Sequence, residues 1–153
     1  MSKIIKGIEK SPIPRIGGDL LETSLILCDA AQLAEGKFYI LGGGWENCIY
    51  NIPQMALAVT IMVEWDQTNK KHKFELELQD EDGMPIMDGD PPHPLLIEGE
   101  FEAGRPPKHP PGMPIGVRQA INIQHPKLEP NKNYRWELRI NGEPEARVSF
   151  YTR

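Results

Sequence analysis

The chain has 153 residues and only two cysteines, Cys28 and Cys48, which form no metal-binding or redox spacing. Each is expected to be a small buried hydrophobe, reduced in a cytoplasm. No stretch approaches the roughly 20 consecutive apolar residues that a membrane helix needs, so no membrane insertion is expected. Met1–Lys10 carries charge but no apolar segment, so no export signal is read there. There is no excess of positive charge. The net charge of −5 and a pI near 5.4 exclude nucleic acid as the default partner, because phosphate binding needs a basic face. No helical periodicity persists. Catalytic motifs are missing too. Ser11, Ser24 and Ser149 lie in no nucleophile elbow, and Gly42–Gly44 is followed by neither Lys-Ser/Thr nor a helix, as a phosphate loop requires. The four histidines, His72, His93, His109 and His125, have neither strand nor helix spacing for zinc.

What is present in abundance is punctuation. Fifteen prolines and 14 glycines separate short apolar runs, the mark of an all-β chain with many turns. Strands are expected at Ser24–Asp29 and Lys37–Leu41, with a turn at Glu35–Lys37 between them and a one-turn helix over Ala30–Ala34 as the competing reading. Met55–Trp65 reads as the longest strand. Lys73–Gln79 alternates strictly, with Phe74, Leu76 and Leu78 inward and Lys73, Glu75, Glu77 and Gln79 outward. A one-residue slip would bury four polar side chains, so this register is well specified. Met84–Met87 reads as a short return strand, and Leu95–Ala103 and Ile115–Gln124 as strands. Tyr134–Ile140 turns inward Tyr134, Trp136, Leu138 and Ile140, and Asn141–Gly142 signals a hairpin into Ala146–Thr152. The Gly104–Gly112 loop is expected to be extended and polyproline-like. The result is one antiparallel two-sheet sandwich of about seven to eight strands over residues 21–153, immunoglobulin-like or C2-like, preceded by an N-terminal arm at 1–20.

Two stretches hold candidate sites. Asp80, Asp82, Asp88 and Asp90, with Glu81, crowd into eleven residues. Calcium takes oxygen ligands of this kind, although the spacing is not that of an EF-hand and Asp-Gly favours turns on its own account. In the proline-rich loop, Arg105, Lys108 and His109 form a stiff segment suited to docking, or a simple connector between sheets. Trp45, at a strand end after the glycine run, either caps the core or offers a half-exposed contact. His72 is expected to bond its own turn or to stack on Trp65.

The ordered pieces LCDAA (Leu27–Ala31), GKFYILGGGW (Gly36–Trp45), DEDG (Asp80–Gly83), IEGEF (Ile97–Phe101), GRPP (Gly104–Pro107), AIN (Ala120–Asn122) and YRWEL (Tyr134–Leu138), together with Trp65, Asn69 and His72, resemble those of a bacterial family of small all-β proteins labelled only as a domain of unknown function. The resemblance implies the fold and brings no activity, cofactor or site residue with it. With no assembled catalytic set, the chain is read as a non-catalytic protein-interaction or assembly module, binding a protein partner or itself. The alternative is a calcium- or small-ligand-binding sandwich using the acidic turn.

Overall fold

A computed structural model describes Glu9–Lys10 and residues 22–153. Its strands in chain order are β1 (Glu9–Lys10), β2 (Glu22–Ala34), β3 (Lys37–Gly43), β4 (Asn47–Cys48), β5 (Gln54–Val63), β6 (Lys71–Asp80), β7 (Met87–Asp88), β8 (His93–Pro94), β9 (Leu96–Glu102), β10 (Ile115–Gln124), β11 (Asn133–Ile140) and β12 (Glu143–Thr152). Eight of these run for seven residues or more, and β1, β4, β7 and β8 have two residues each. The short segments carry the count past the expected seven to eight. Apart from a three-residue 3-10 turn at Trp65–Gln67, the described residues form no helix.

Two sheets face each other. The first has the order β1-β12-β11-β6-β9, with β4 added in parallel to β12; the second has the order β10-β5-β2-β3. Their inner faces share one core: Leu25, Leu27, Met55, Leu57, Val59 and Ile61 on one side meet Leu76, Leu78, Trp136, Leu138 and Val148 on the other. Alternation along each strand produces this, because successive side chains leave a strand on opposite faces. Trp136 is completely buried, and its indole N–H donates to Met55 Sδ at 3.4 Å, a bond between the sheets. Burying side chains of this size stabilises by about 1.5–3 kcal/mol each. The Lys73–Gln79 register is as expected: Leu76 and Leu78 are buried inward, and Phe74 packs against the same core.

The expected elements shift in four places. β2 does not stop at Asp29; it runs to Ala34, so the one-turn helix over Ala30–Ala34 is replaced by strand. β5 ends at Val63, and Trp65 opens the 3-10 turn instead of closing the strand. Met84–Met87 forms only a single bridge, Gln79 to Pro85, before β7 pairs with β8. Gly104–Gly112 is not extended beyond Pro106. It folds into successive turns, with His109 N–H bonded to Pro106 C=O at 3.0 Å and Met113 N–H to Pro110 C=O at 3.3 Å. Prolines have no N–H to give, so here they contribute carbonyls that close turns. Most of the expected arm at 1–20 lies outside the described residues; Glu9 and Lys10 pair with Arg147 and Ala146 of β12.

Candidate interaction surface

The second sheet is staggered. β2 pairs with β5 through Glu22–Cys28 and with β3 through Cys28–Ala34, so the β2–β3 hairpin runs on past the end of β5. Glu35 and Gly36, with φ of 53° and 72°, form its two-residue turn. Positive φ at both positions is the type I′ geometry that matches strand twist, and glycine adopts it without strain. Where β5 gives out, side-chain amides extend its ladder. Asn122 of β10 accepts from Ala31 N–H at 3.3 Å and donates to Ala31 C=O at 2.9 Å, as a strand peptide would. Gln54 adds a bond from its Nε2 to Asp29 C=O at 3.0 Å. The hairpin is therefore braced at its root.

Its surface is apolar. Leu33, Tyr39, Ile40 and Leu41 are 39%, 53%, 38% and 70% exposed. Among the described residues β3 is the outermost strand of its sheet, and Lys37 is its single charged residue, at the hairpin tip. Protein edge strands are usually guarded by charge, proline or a covering segment. Beside β3 lies an open groove of about 620 Å³ lined by Asp29, Leu41, Trp45, Ile49, Ile52 and Arg153, among others. Gly42, near the end of β3, has φ 57°, and a Cβ there would strike the Asp29 carboxylate. This is a close approach only glycine allows. Asp29 Oδ1 accepts from Trp45 Nε1 at 3.0 Å, and the Trp45 ring packs edge-on against Phe150 at 5.9 Å. Trp45, a candidate contact from sequence, thus roofs the core and walls the groove.

The other candidates lie elsewhere. The Arg105 guanidinium sits 4.0 Å above the Trp65 ring, donates from Nε to Thr68 Oγ1 at 2.7 Å and from Nη2 to the Trp65 carbonyl at 2.8 Å. His109 stacks near Trp65 at 6.3 Å, and its Nε2 lies 3.1 Å from the carbonyls of Met113 and Pro114. Both side chains pin their own loop; Lys108 is exposed. Asp80, Asp82, Asp88 and Asp90, the alternative cation site read from the sequence, do not converge around one point. Among the described residues no three His, Cys, Asp or Glu side chains are placed to hold a metal ion. Asp80 Oδ1 instead accepts from the N–H groups of Asp82 and Met84, both at 2.9 Å, and Asp88 Oδ1 from Gly89 N–H at 2.8 Å. Turn geometry makes use of these oxygens. Asp80 and Asp82 line an open polar groove of about 500 Å³ with Lys127 and Lys132 on its walls. Asp88 and Asp90 sit on the β7–β8 ribbon.

His72 is buried with a bond on each nitrogen: Nε2 lies 2.9 Å from the Gln67 carbonyl and Nδ1 3.0 Å from Asn141 Nδ2. It stacks on Phe101, not on Trp65. Burial, and then the neighbouring Asp29 charge, push the Cys28 thiol up to about 11. Cys48 is raised by burial and by Asp29 against the opposing pull of Arg153. Neither thiol is poised as a nucleophile.

One feature escaped sequence reasoning. The outer face of β6, β11 and β12 carries a buried ionic network. Glu77 and Glu137 stand directly opposite each other and are both buried. Arg139 Nη1 bridges them at 3.3 and 2.9 Å, Gln79 Nε2 does the same at 2.9 and 3.1 Å, and Arg147 Nε donates to Glu137 at 2.8 Å. Arg139 also meets Glu75 at 3.5 Å, and Arg135 donates to Gln79 at 2.8 Å. Burial alone would raise the Glu137 carboxyl, but the bonds from Arg147, Arg139 and Gln79 outweigh it and hold it below its ordinary range. The Glu and Arg residues at alternate outward positions were visible; their closure into a network was not.

Sheet topology, braced hairpin and paired charges define a class: an all-β protein with a sandwich-like packing of antiparallel sheets and, among the described residues, an exposed apolar edge strand. Residues 23–153 match the model of DUF6941, a family of unknown function, and the chain belongs to that family. Comparison with curated proteins and with solved structures finds no match in either. No helix among the described residues is long and apolar enough to cross a membrane.

Proposed function

We propose that this protein is a non-catalytic interaction or assembly module that docks to a protein partner or to copies of itself through the β2–β3 hairpin. The observation that carries this reading is the uncharged run Phe38–Leu41 on a strand that is outermost among the described residues, with Tyr39, Ile40 and Leu41 exposed. Such an edge offers backbone N–H and C=O groups together with apolar area, the two ingredients of recognition by strand addition. The chemically capable side chains point the same way. The His72 ring, the Cys28 thiol, which donates to the Ala56 carbonyl, and the Glu77–Glu137 pair are all engaged within the fold.

The test is affinity capture from the native cell with mass-spectrometric readout, using wild type and two double variants. Tyr39→Glu with Leu41→Lys is expected to lose the specific partner or self-association, while Arg105→Ala with Lys108→Ala keeps it. The reverse pattern would move the docking site to the proline-rich loop.

A further inference from the structure

We infer that the occupant of the β3 edge is a second copy of this chain, paired antiparallel about a two-fold axis through Ile40. This rests on the hairpin reading above and goes beyond it by naming the partner and the register.

Hydrogen-bond parity permits it. Ala34 and Lys37 flank the two-residue turn and are paired, so both their N–H and C=O groups face each other. Alternation then turns the N–H and C=O of Tyr39 and Leu41 toward β2 and leaves those of Phe38 and Ile40 on the open edge, up to the left-handed Gly42 where the alternation ends. A two-fold axis must pass between two equivalent residues, and Ile40 has the required outward groups. Ile40 bonds Ile40 of the partner subunit, and Phe38 on each side opposes Gly42 of the other.

Side chains agree with the same register. Lys37, Tyr39 and Leu41 share one face of β3. The pairing sets Tyr39 opposite the partner's Leu41, which lines the groove with Trp45, Ile49 and Ile52. Each copy thereby supplies a ring to the mouth of the other's groove. Lys37 falls opposite Gly43 of the partner subunit. Beyond it, the partner's Asp29 carboxylate leans over Gly42, and the two glycines offer no side chain to block the approach. Charge is thus complementary: one lysine and one aspartate per half, with no like charges opposed along the strand. The product is isologous and closed, one continuous sheet formed from two four-stranded sheets, in which neither β3 remains an edge. The run of three glycines at the end of the strand acquires a purpose as the place where a second backbone comes close.

The test uses the full chain and light scattering behind size exclusion over a wide concentration range. Wild type is expected to be a dimer. Ile40→Lys sets two ammonium groups together on the axis and is expected to weaken association about a hundredfold or more, with an unchanged melting temperature for the monomer. Ile40→Cys gives a second, independent readout. Bonded antiparallel partners have Cα atoms about 5.5 Å apart, within disulfide range, so mild oxidation is expected to yield a covalent dimer. Leu33→Cys, on the inner strand of the hairpin, is expected not to cross-link. A monomeric wild type, a dimer indifferent to Ile40→Lys, or cross-linking of Ile40→Cys no faster than of Leu33→Cys would each overturn the two-fold pairing. If self-association fails while Ile40→Lys still abolishes capture of a different protein, the pairing falls and the interaction module stands. If hairpin substitutions alter no association at all, both fall.

Discussion

Two surfaces of this protein are made by strands yet built from opposite chemistry. On the outer face of β6, β11 and β12, Glu75, Glu77, Gln79, Arg135, Glu137, Arg139 and Arg147 satisfy one another within bonding distance. On β3, Phe38, Tyr39, Ile40 and Leu41 follow in succession without a charge between them, and three of the four are exposed. The first surface is a closed account of donors and acceptors. The second leaves backbone groups and apolar area open at once. The contrast teaches that burial and polarity need not coincide: the charged face is the sealed one, and the apolar strand is the one that meets solvent.

The largest expected effect comes from breaking the sealed face. Arg139→Ala leaves Glu77 and Glu137 opposed without their shared guanidinium and should cost about 3 kcal/mol, measured by urea unfolding. Replacing Glu77, Glu137 and Arg139 together by Met, Leu and Met should restore stability to near wild type, because a packed apolar trio needs no desolvation of charge. It should also make that face adhesive, which dynamic light scattering would detect.

Acid should act on the same face. The Glu137 carboxyl lies below its ordinary value of 4.5 in the folded protein. Its contribution is therefore fully present above the unfolded value and is lost as pH falls through the folded one. Melting temperatures measured downward from neutrality should begin to fall below about pH 5, and Glu137→Gln should flatten that part of the profile.

A smaller effect is expected at the root of the hairpin. Asn122→Ala removes both bonds to Ala31, and a loss of about 1 kcal/mol is expected there. Hydrogen exchange should accelerate at Ala31 and along β3 while β11 keeps its protection. The smallest effect should follow Leu41→Lys, which changes stability by less than about 0.5 kcal/mol because the side chain is already in water. An equally small change for Arg139→Ala would erase the distinction between the two surfaces.

Much of the fold was legible from the chain. The alternation of Phe74, Leu76 and Leu78, that of Tyr134 through Ile140, and the Asn141–Gly142 turn all follow from local rules of strand and turn geometry. The Glu35–Gly36 turn was legible too, but the reach of β2 past β5 was not, because it depends on where β5 starts and on an amide from Asn122, distant in sequence. The surface roles expected of Arg105 and His109 came from loop composition. Their bonds to Thr68, Trp65, Met113 and Pro114 arise from how the loop folds back across the 3-10 turn. The acidic turn was read correctly as a turn, whereas convergence of its carboxylates is a three-dimensional property that the residues do not have.

By itself the sequence determined that this is an all-β protein, which side of β6 and β11 faces the core, and where the Glu35–Gly36 and Asn141–Gly142 turns fall. Those properties have a period of two residues or a span of two, and a strand carries them wherever it is placed. Only the tertiary structure decided that Glu77 and Glu137 face each other under a shared arginine and that β3 is left at the edge of its sheet beside an open groove. Both depend on strand order, which is set by packing between residues far apart along the chain.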